Sequence, residues 1–107
     1  MNLTPETLAR VAKLIGATKV AKASSGWQVH GGCFLPCVLD YDQFCGRILD
    51  ALAEKFRNVE LYYSRANGGW HVELMDFDNS TDISGPTRPD RLTTLLAIIS
   101  VLPEGVL

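Results

Sequence analysis

Residues 59–77, VELYYSRANGGWHVELMDF, alternate apolar and polar positions on either side of Asn67-Gly68. Alternation with period two marks strands with one buried face, and Asn-Gly tolerates the positive φ of a tight type I′ turn. The pattern predicts an antiparallel hairpin whose apolar face pairs Leu61 with Leu74, Tyr63 with Val72, Arg65 with Trp70 and Val59 with Asp76. Its mixed face pairs Tyr62 with Glu73, Ser64 with His71 and Glu60 with Met75. An Arg65–Trp70 cation–π contact is expected near the turn. A lone hairpin is marginal in water, so more strands or a helix must cover it.

Helical spacing recurs three times. Thr4-Pro5 opens the first helix, because Thr4 caps a free N–H where the missing donor of Pro5 costs nothing. Leu8, Val11, Ala12 and Ile15 form its apolar face, and Gly16 stops it, which gives residues 5–15. Asp40-Tyr41-Asp42-Gln43 has the form of a capping box. Phe44, Cys45, Ile48, Leu49, Leu52 and Phe56 continue from it as one stripe, so the second helix runs to about residue 57. Over 90–102, Leu92, Leu95, Leu96, Ile99 and Leu102 are helically spaced before Pro103. Ala97, Ile98 and Val101 are apolar too, so this last helix is buried or lies against a partner.

Shorter signals fill the gaps. Residues 19–23 and 26–29 alternate around a Ser24-Ser25 turn, and a third extended piece, Cys33-Phe34-Leu35, ends at Pro36; which of these pair is left open. Residues 78–89 read as a long surface loop. Gly26-Trp27-Gln28-Val29 echoes Gly69-Trp70-His71-Val72, which fits either a duplicated unit or a chance recurrence. The expected fold is a single α+β domain over 1–107, with three helices packed in layers on a mostly antiparallel sheet of about four strands.

This order of features resembles the phage ABA sandwich domain, a family of small bacteriophage and prophage proteins. The shared features are the N-terminal helix, Gly26-Trp27 with a short strand, Leu35-Pro36, Asp40-Tyr41 leading into the second helix, Trp70-x-Val72 and a closing apolar helix. Cys37-Val38-Leu39 stands as an insertion between Leu35-Pro36 and Asp40-Tyr41. The resemblance implies a sheet covered by helices, no enzymatic activity, no established ligand and a bacterial host.

Composition narrows the function classes. With 107 residues, 47% of them hydrophobic and 21% charged, the chain can bury a core of its own. A net charge of −2 provides no basic footprint, which argues against direct nucleic-acid binding. No apolar run reaches the roughly 18 residues of a membrane span. The opening MNLTPETLAR is polar and lacks an export signal, and three cysteines are an odd number, so free thiols in a reducing cytoplasm are expected.

The chemistry-bearing residues form no strong constellation. His30, Cys33 and Cys37, with Cys45 and His71, are the residue types of a zinc site, but they lack the tight ligand pairs such sites use, so packing is the favoured role of the cysteines. A thiol nucleophile would need one of the two histidines as base, without a signature to tie them. Asp76-x-Asp78-x-Ser80-x-Asp82 alternates oxygen ligands as a calcium loop does, but Thr81 and Thr87 stand where the glycine and the bidentate glutamate belong. A solvated acidic loop is expected there, able to present charge to a basic partner. No cofactor and no metal are expected.

The function expected is therefore a small non-enzymatic phage accessory protein that binds a host protein, such as an inhibitor of a bacterial defence system like CRISPR. Its partner-contact residues are expected to be Tyr62, Glu73, Asp78 and Asp82, because Tyr is enriched at interaction hot spots. The alternative is a structural or self-associating homo-oligomer, for instance a homodimer, built through the C-terminal apolar helix and Val106-Leu107.

Overall fold

A computed structural model describes residues 4–32, 34–77 and 82–107. The element order is α1 (Pro5–Ile15), β1 (Lys19–Ala23), β2 (Gly26–Gly31), β3 (Phe34–Leu39), α2 (Tyr41–Lys55), β4 (Asn58–Ser64), β5 (Gly69–Met75), β6 (Asp82–Ser84) and α3 (Arg91–Val101), followed by a short 3₁₀ turn, Glu104–Val106. The class is α+β. Among the described residues there are six strands rather than four, in two three-stranded antiparallel sheets ordered β1-β2-β3 and β4-β5-β6.

The helices start and stop where their local chemistry directs. Thr4 Oγ1 accepts the Thr7 N–H, and Gly16 closes α1 in the left-handed region at φ +82°, where an L side chain would be strained. Asp40 accepts from the Gln43 N–H at 2.8 Å while Gln43 Oε1 accepts from the Asp40 N–H at 2.9 Å, a complete capping box for α2. Asp90 caps α3 through the Thr93 N–H at 2.8 Å. Arg10 on α1 donates Nε to the Ile99 carbonyl at 3.0 Å and its guanidinium to the Leu102 carbonyl, tying α1 to the open end of α3.

One core joins all three helices to both sheets. Val11, Leu14, Val29, Phe44, Ile48, Leu52, Val72, Leu74, Leu95, Ile98 and Ile99 are its buried centre. Trp27 stacks on Phe44 with ring centroids 4.8 Å apart, and Thr94, fully buried, donates its hydroxyl to the carbonyls of Asp90 and Trp70 at 2.8 and 3.2 Å. The closing helix spends Leu92, Leu95, Leu96, Ile98 and Ile99 inside this core, and Val106 and Leu107 pack against it. The apolar surface that suggested self-association through α3 is thus used within the chain, apart from Val101, which is 63% exposed.

The central hairpin forms in a different register. Leu61 pairs with Val72, Tyr63 with Trp70, Val59 with Leu74, Tyr62 with His71 and Glu60 with Glu73, two residues away from the expected pairing. A four-residue turn replaces the two-residue one: Gly68, at φ +71°, donates its N–H to the Ser64 carbonyl at 2.9 Å. An even shift keeps every side chain on its expected face. It also replaces the mismatched pairs Val59–Asp76 and Arg65–Trp70 with Val59–Leu74 and the aromatic pair Tyr63–Trp70, whose rings meet edge to face at 5.7 Å. Among the described residues no Arg65–Trp70 contact forms as a result, while Lys22 lies over Trp27 and Arg91 over Tyr41.

Two further expectations are corrected. Pro36 lies within β3 instead of ending it, because Leu35-Pro36 bulge opposite His30 on a sheet edge, where a missing N–H breaks no central ladder. The segment after β5 is not all loop, since β6 pairs Ser84 with Glu73, Ile83 with Leu74 and Asp82 with Met75, and Arg88 bridges to Trp70.

The Gly-Trp-x-Val echo has a structural counterpart. Both copies form the middle strand of a three-stranded meander that leads into a helix capped by an aspartate, Asp40 in one and Asp90 in the other. In each, the tryptophan pairs with the third strand or its extension, Trp27 with Leu39 and Trp70 with Arg88. The glycine before it is where that chain comes close: a Cβ on Gly26 would collide with the Leu39 carbonyl oxygen, and one on Gly69 would lie 2.6 Å from that of Arg88.

Candidate protein-binding interface

The hydrogen-bond ladder fixes which residues of the second sheet share its outer face. Val59, Leu61, Val72, Leu74 and Ile83 turn toward the core, so their neighbours in sequence turn away from it. Across the sheet, Tyr62 lies beside His71, Glu60 beside Glu73 and Ser84, and Asn58 beside Met75 and Asp82. Three of the four residues expected to contact a partner, Tyr62, Glu73 and Asp82, are therefore brought onto one face. Asp78, the fourth, lies outside the described residues, as does Ser80 of the expected acidic loop. Asp82 belongs to a strand rather than to that loop.

This face is polar, acidic and open. Tyr62 is 42% exposed and the Glu73 side chain 40%. The Tyr62 ring meets the edge of the His71 ring at 5.5 Å, and His71 Nε2 lies 3.5 Å from Glu73 Oε1. His71 Nδ1 is buried without a hydrogen-bond partner among the described residues. A proton on Nε2 leaves a bare lone pair at Nδ1, which is the tautomer this geometry favours. Asn58 donates to Glu60 Oε1 at 3.1 Å, a neutral contact that leaves the Glu60 charge uncancelled. Glu60 and Glu73, directly opposite, form a like-charge pair that works against the sheet when nothing else covers it. The strands β4, β5 and β6 hold three carboxylates and no lysine or arginine.

The other candidate chemistries are dispersed. Cys33 lies outside the described residues, Cys37 is exposed on β3, and Cys45 is buried in α2. His30 belongs to the first sheet and His71 to the second. Among the described residues, no three histidine, cysteine or carboxylate side chains gather as a metal site would require. Burial pushes the Cys45 thiol up to about 11, with the nearby Arg91 charge opposing the shift, so it is protonated at neutral pH and a poor nucleophile.

A second polar cluster joins the starts of α2 and α3, which the sequence does not reveal as a pair. The Tyr41 hydroxyl donates to Asp90 Oδ1 at 3.1 Å and accepts the Leu92 N–H at 3.0 Å, while Asp42 pairs with Arg91 at 2.5 Å. Burial alone would raise the Asp90 carboxyl, but hydrogen bonds from the Thr93 N–H and hydroxyl, Tyr41 and the Leu92 N–H outweigh it and hold the group below the ordinary carboxylate range. Every member of this cluster has a structural partner, so its chemistry is used in fixing the two helices.

No family model matches the chain, and neither does any curated protein or solved structure. No helix among the described residues is long and apolar enough to cross a membrane.

Proposed function

We propose that the protein is a non-catalytic binding module that docks the outer face of the β4–β6 sheet on a basic surface of another protein, with Tyr62 as the anchor. The observation that carries this reading is the segregation of charge: Glu60, Glu73 and Asp82 share one open face with Tyr62, in strands without a single lysine or arginine. Charge of one sign on a rigid sheet steers a partner of the opposite sign and fixes its orientation, and a half-exposed tyrosine supplies contact area at low entropic cost. Resemblance to the phage ABA sandwich family extends the reading to a phage accessory protein acting on a host protein in the cytoplasm, such as an inhibitor of a defence system of the CRISPR type.

Affinity capture from a bacterial lysate, run in parallel with wild type, Tyr62→Ala and Glu73→Lys, tests the reading. A specific basic protein held by wild type is expected to be lost with Glu73→Lys, weakened at least tenfold with Tyr62→Ala, and released by salt as a screened charge contact should be. A partner retained equally by all three forms refutes the assignment of this face.

A further inference from the structure

Two three-stranded sheets expose four edge strands, and three of them carry devices that keep a strand from recruiting another. Lysines at 19 and 22 guard β1, a bulge and Pro36 interrupt β3, and β6 has only three residues among those described. The fourth, β4, is seven residues long, pairs with β5 without a bulge, contains no lysine or proline, and has no buried residue. Its one charge is Glu60, and it carries none of these devices.

The direction of its main-chain groups follows from β5. Trp70 exchanges hydrogen bonds with Arg88 at 2.7 and 3.0 Å, and the Val72 carbonyl accepts the Gly85 N–H at 3.1 Å. Both residues thus turn their main chain toward β6, and their partners on β4, Tyr63 and Leu61, turn theirs away from β5 by antiparallel alternation. Val59 continues the series. Among the described residues, β5 is the only strand that β4 pairs with.

We infer that β4 pairs with β4 of a second copy, antiparallel about a two-fold axis at Leu61, joining two acidic sheets into one six-stranded sheet. The register is set by the strand's own sequence, NVELYYS. Centred on Leu61, all seven residues overlap, and Val59 pairs with Tyr63 and Leu61 with itself, the three residues whose main-chain groups turn away from β5. On the core side these pairs cover Val59 and Leu61, both partly exposed, and Tyr63, which is 52% exposed. On the outer side Glu60 meets the Tyr62 hydroxyl and Asn58 meets Ser64, so no like charges face each other. Moving the axis to residue 60 would set Glu60 against Glu60 and leave Tyr63 unpaired. A two-fold contact must be self-complementary, and this strand is. The buried area is that of a single strand pair, which belongs to the weak end of protein interfaces.

Sedimentation equilibrium and amide exchange followed by NMR test the dimer between about 10 µM and 1 mM, the range expected of so small an interface. The mass is expected to rise toward twice the monomer's, and the amides of Val59, Leu61 and Tyr63 to slow with concentration. Those of Glu60 and Tyr62, bonded inside the sheet, should not change. Tyr63→Pro removes an outward N–H without breaking a β4–β5 bond, and should return the mass to the monomer's with unaltered circular dichroism. Leu61→Cys, with Cys33 and Cys37 changed to Ser, should form a covalent dimer on mild oxidation, which decides the matter if Tyr63→Pro fails to fold. A monomer throughout the range, a dimer that survives Tyr63→Pro, or Leu61→Cys that stays uncrosslinked overturns the inference. So does a monomer whose three outward amides are protected only by an added lysine-rich peptide, since the edge would then take a foreign strand.

Discussion

Replacing glycine by alanine should have opposite effects at two places in this chain, and the structure supplies the sign and the size of each. At Gly69 the new Cβ would lie 2.6 Å from the Arg88 carbonyl oxygen and 2.9 Å from Thr87 Cγ2, both well inside contact distance, and the oxygen belongs to backbone. The chain around Arg88 must retreat, which strains or breaks its two hydrogen bonds with Trp70. Two net hydrogen bonds of about 1 kcal/mol each, plus about 1–2 kcal/mol for overpacking, put the loss at about 3–4 kcal/mol. Gly26→Ala should fail in the same way against the Leu39 carbonyl. At Gly46, within α2, nothing lies within 4 Å of an added Cβ. Alanine there should stabilise by about 0.5–1 kcal/mol, because it restricts the unfolded chain and suits a helix better. Urea unfolding followed by circular dichroism and tryptophan fluorescence measures all three. Gly69→Ala within 0.5 kcal/mol of wild type would refute the close-approach account, as would a destabilising Gly46→Ala.

Other consequences can be tested on the same footing. Asp90→Ala removes the α3 cap and its bond with Tyr41, and should cost about 1–2 kcal/mol in chemical denaturation. Because the folded Asp90 carboxyl titrates below its unfolded value, the stability it contributes is present above about pH 4 and disappears as pH falls through the folded value; acid unfolding should be shallower in Asp90→Asn. The Cys45 thiol, pushed up to about 11, works the other way: its contribution is complete below about pH 9, the unfolded value, and fades as pH rises toward 11. Alkylation at pH 8 should accordingly label Cys37 far faster than Cys45, as read by mass spectrometry of peptides. Phe44→Ala empties the stack on Trp27 and should cost about 3–5 kcal/mol, whereas Thr94→Val should cost about 1 kcal/mol, since the Trp70 carbonyl keeps the Arg88 N–H.

Features written into a few consecutive residues were legible in the sequence. Thr4-Pro5, Asp40 with Gln43, and Gly16 state the helix ends through hydrogen bonds and dihedrals that need no distant partner, and all three helices form within two residues of expectation. The faces of the β4–β5 hairpin were legible for the same reason, since alternation is local. Its register was not, because a shift of two leaves alternation unchanged and is decided by which cross-strand pairs fit best. Asp-Ile-Ser becomes β6 only because the edge of β5 is open beside it, and Pro36 stays in β3 only because the strand is an edge with a bulge; neither condition can be seen from the residues themselves. The candidate face follows this division. Tyr62 and Glu73 could be placed on one side by counting twos, but Asp82 joins them through a strand pairing the sequence does not announce.

The two meander-and-helix units solve one packing problem with different chemistry. In each, the fourth residue after the capping aspartate is turned from the helix toward the tryptophan of the middle strand: Phe44 after Asp40, and Thr94 after Asp90. Phe44 stacks on Trp27, which is 4% exposed, so the first unit closes through apolar contact. Thr94 instead bonds the Trp70 main chain, and the Trp70 ring is left partly open beside an exposed Tyr63. A hydroxyl anchors the strand but shields little surface, so the second unit holds its position without completing its cover. That difference, one residue deep in the core, leaves Trp70 and the neighbouring Tyr63 partly accessible on the core side of the second sheet, while Trp27 of the first disappears into the interior. The exposed aromatic pair beside the β4 edge, whose Tyr63 the second copy would cover, thus traces back to a threonine standing where the other unit has a phenylalanine, whereas Tyr62, Glu73 and Asp82 are open because their face turns away from the core.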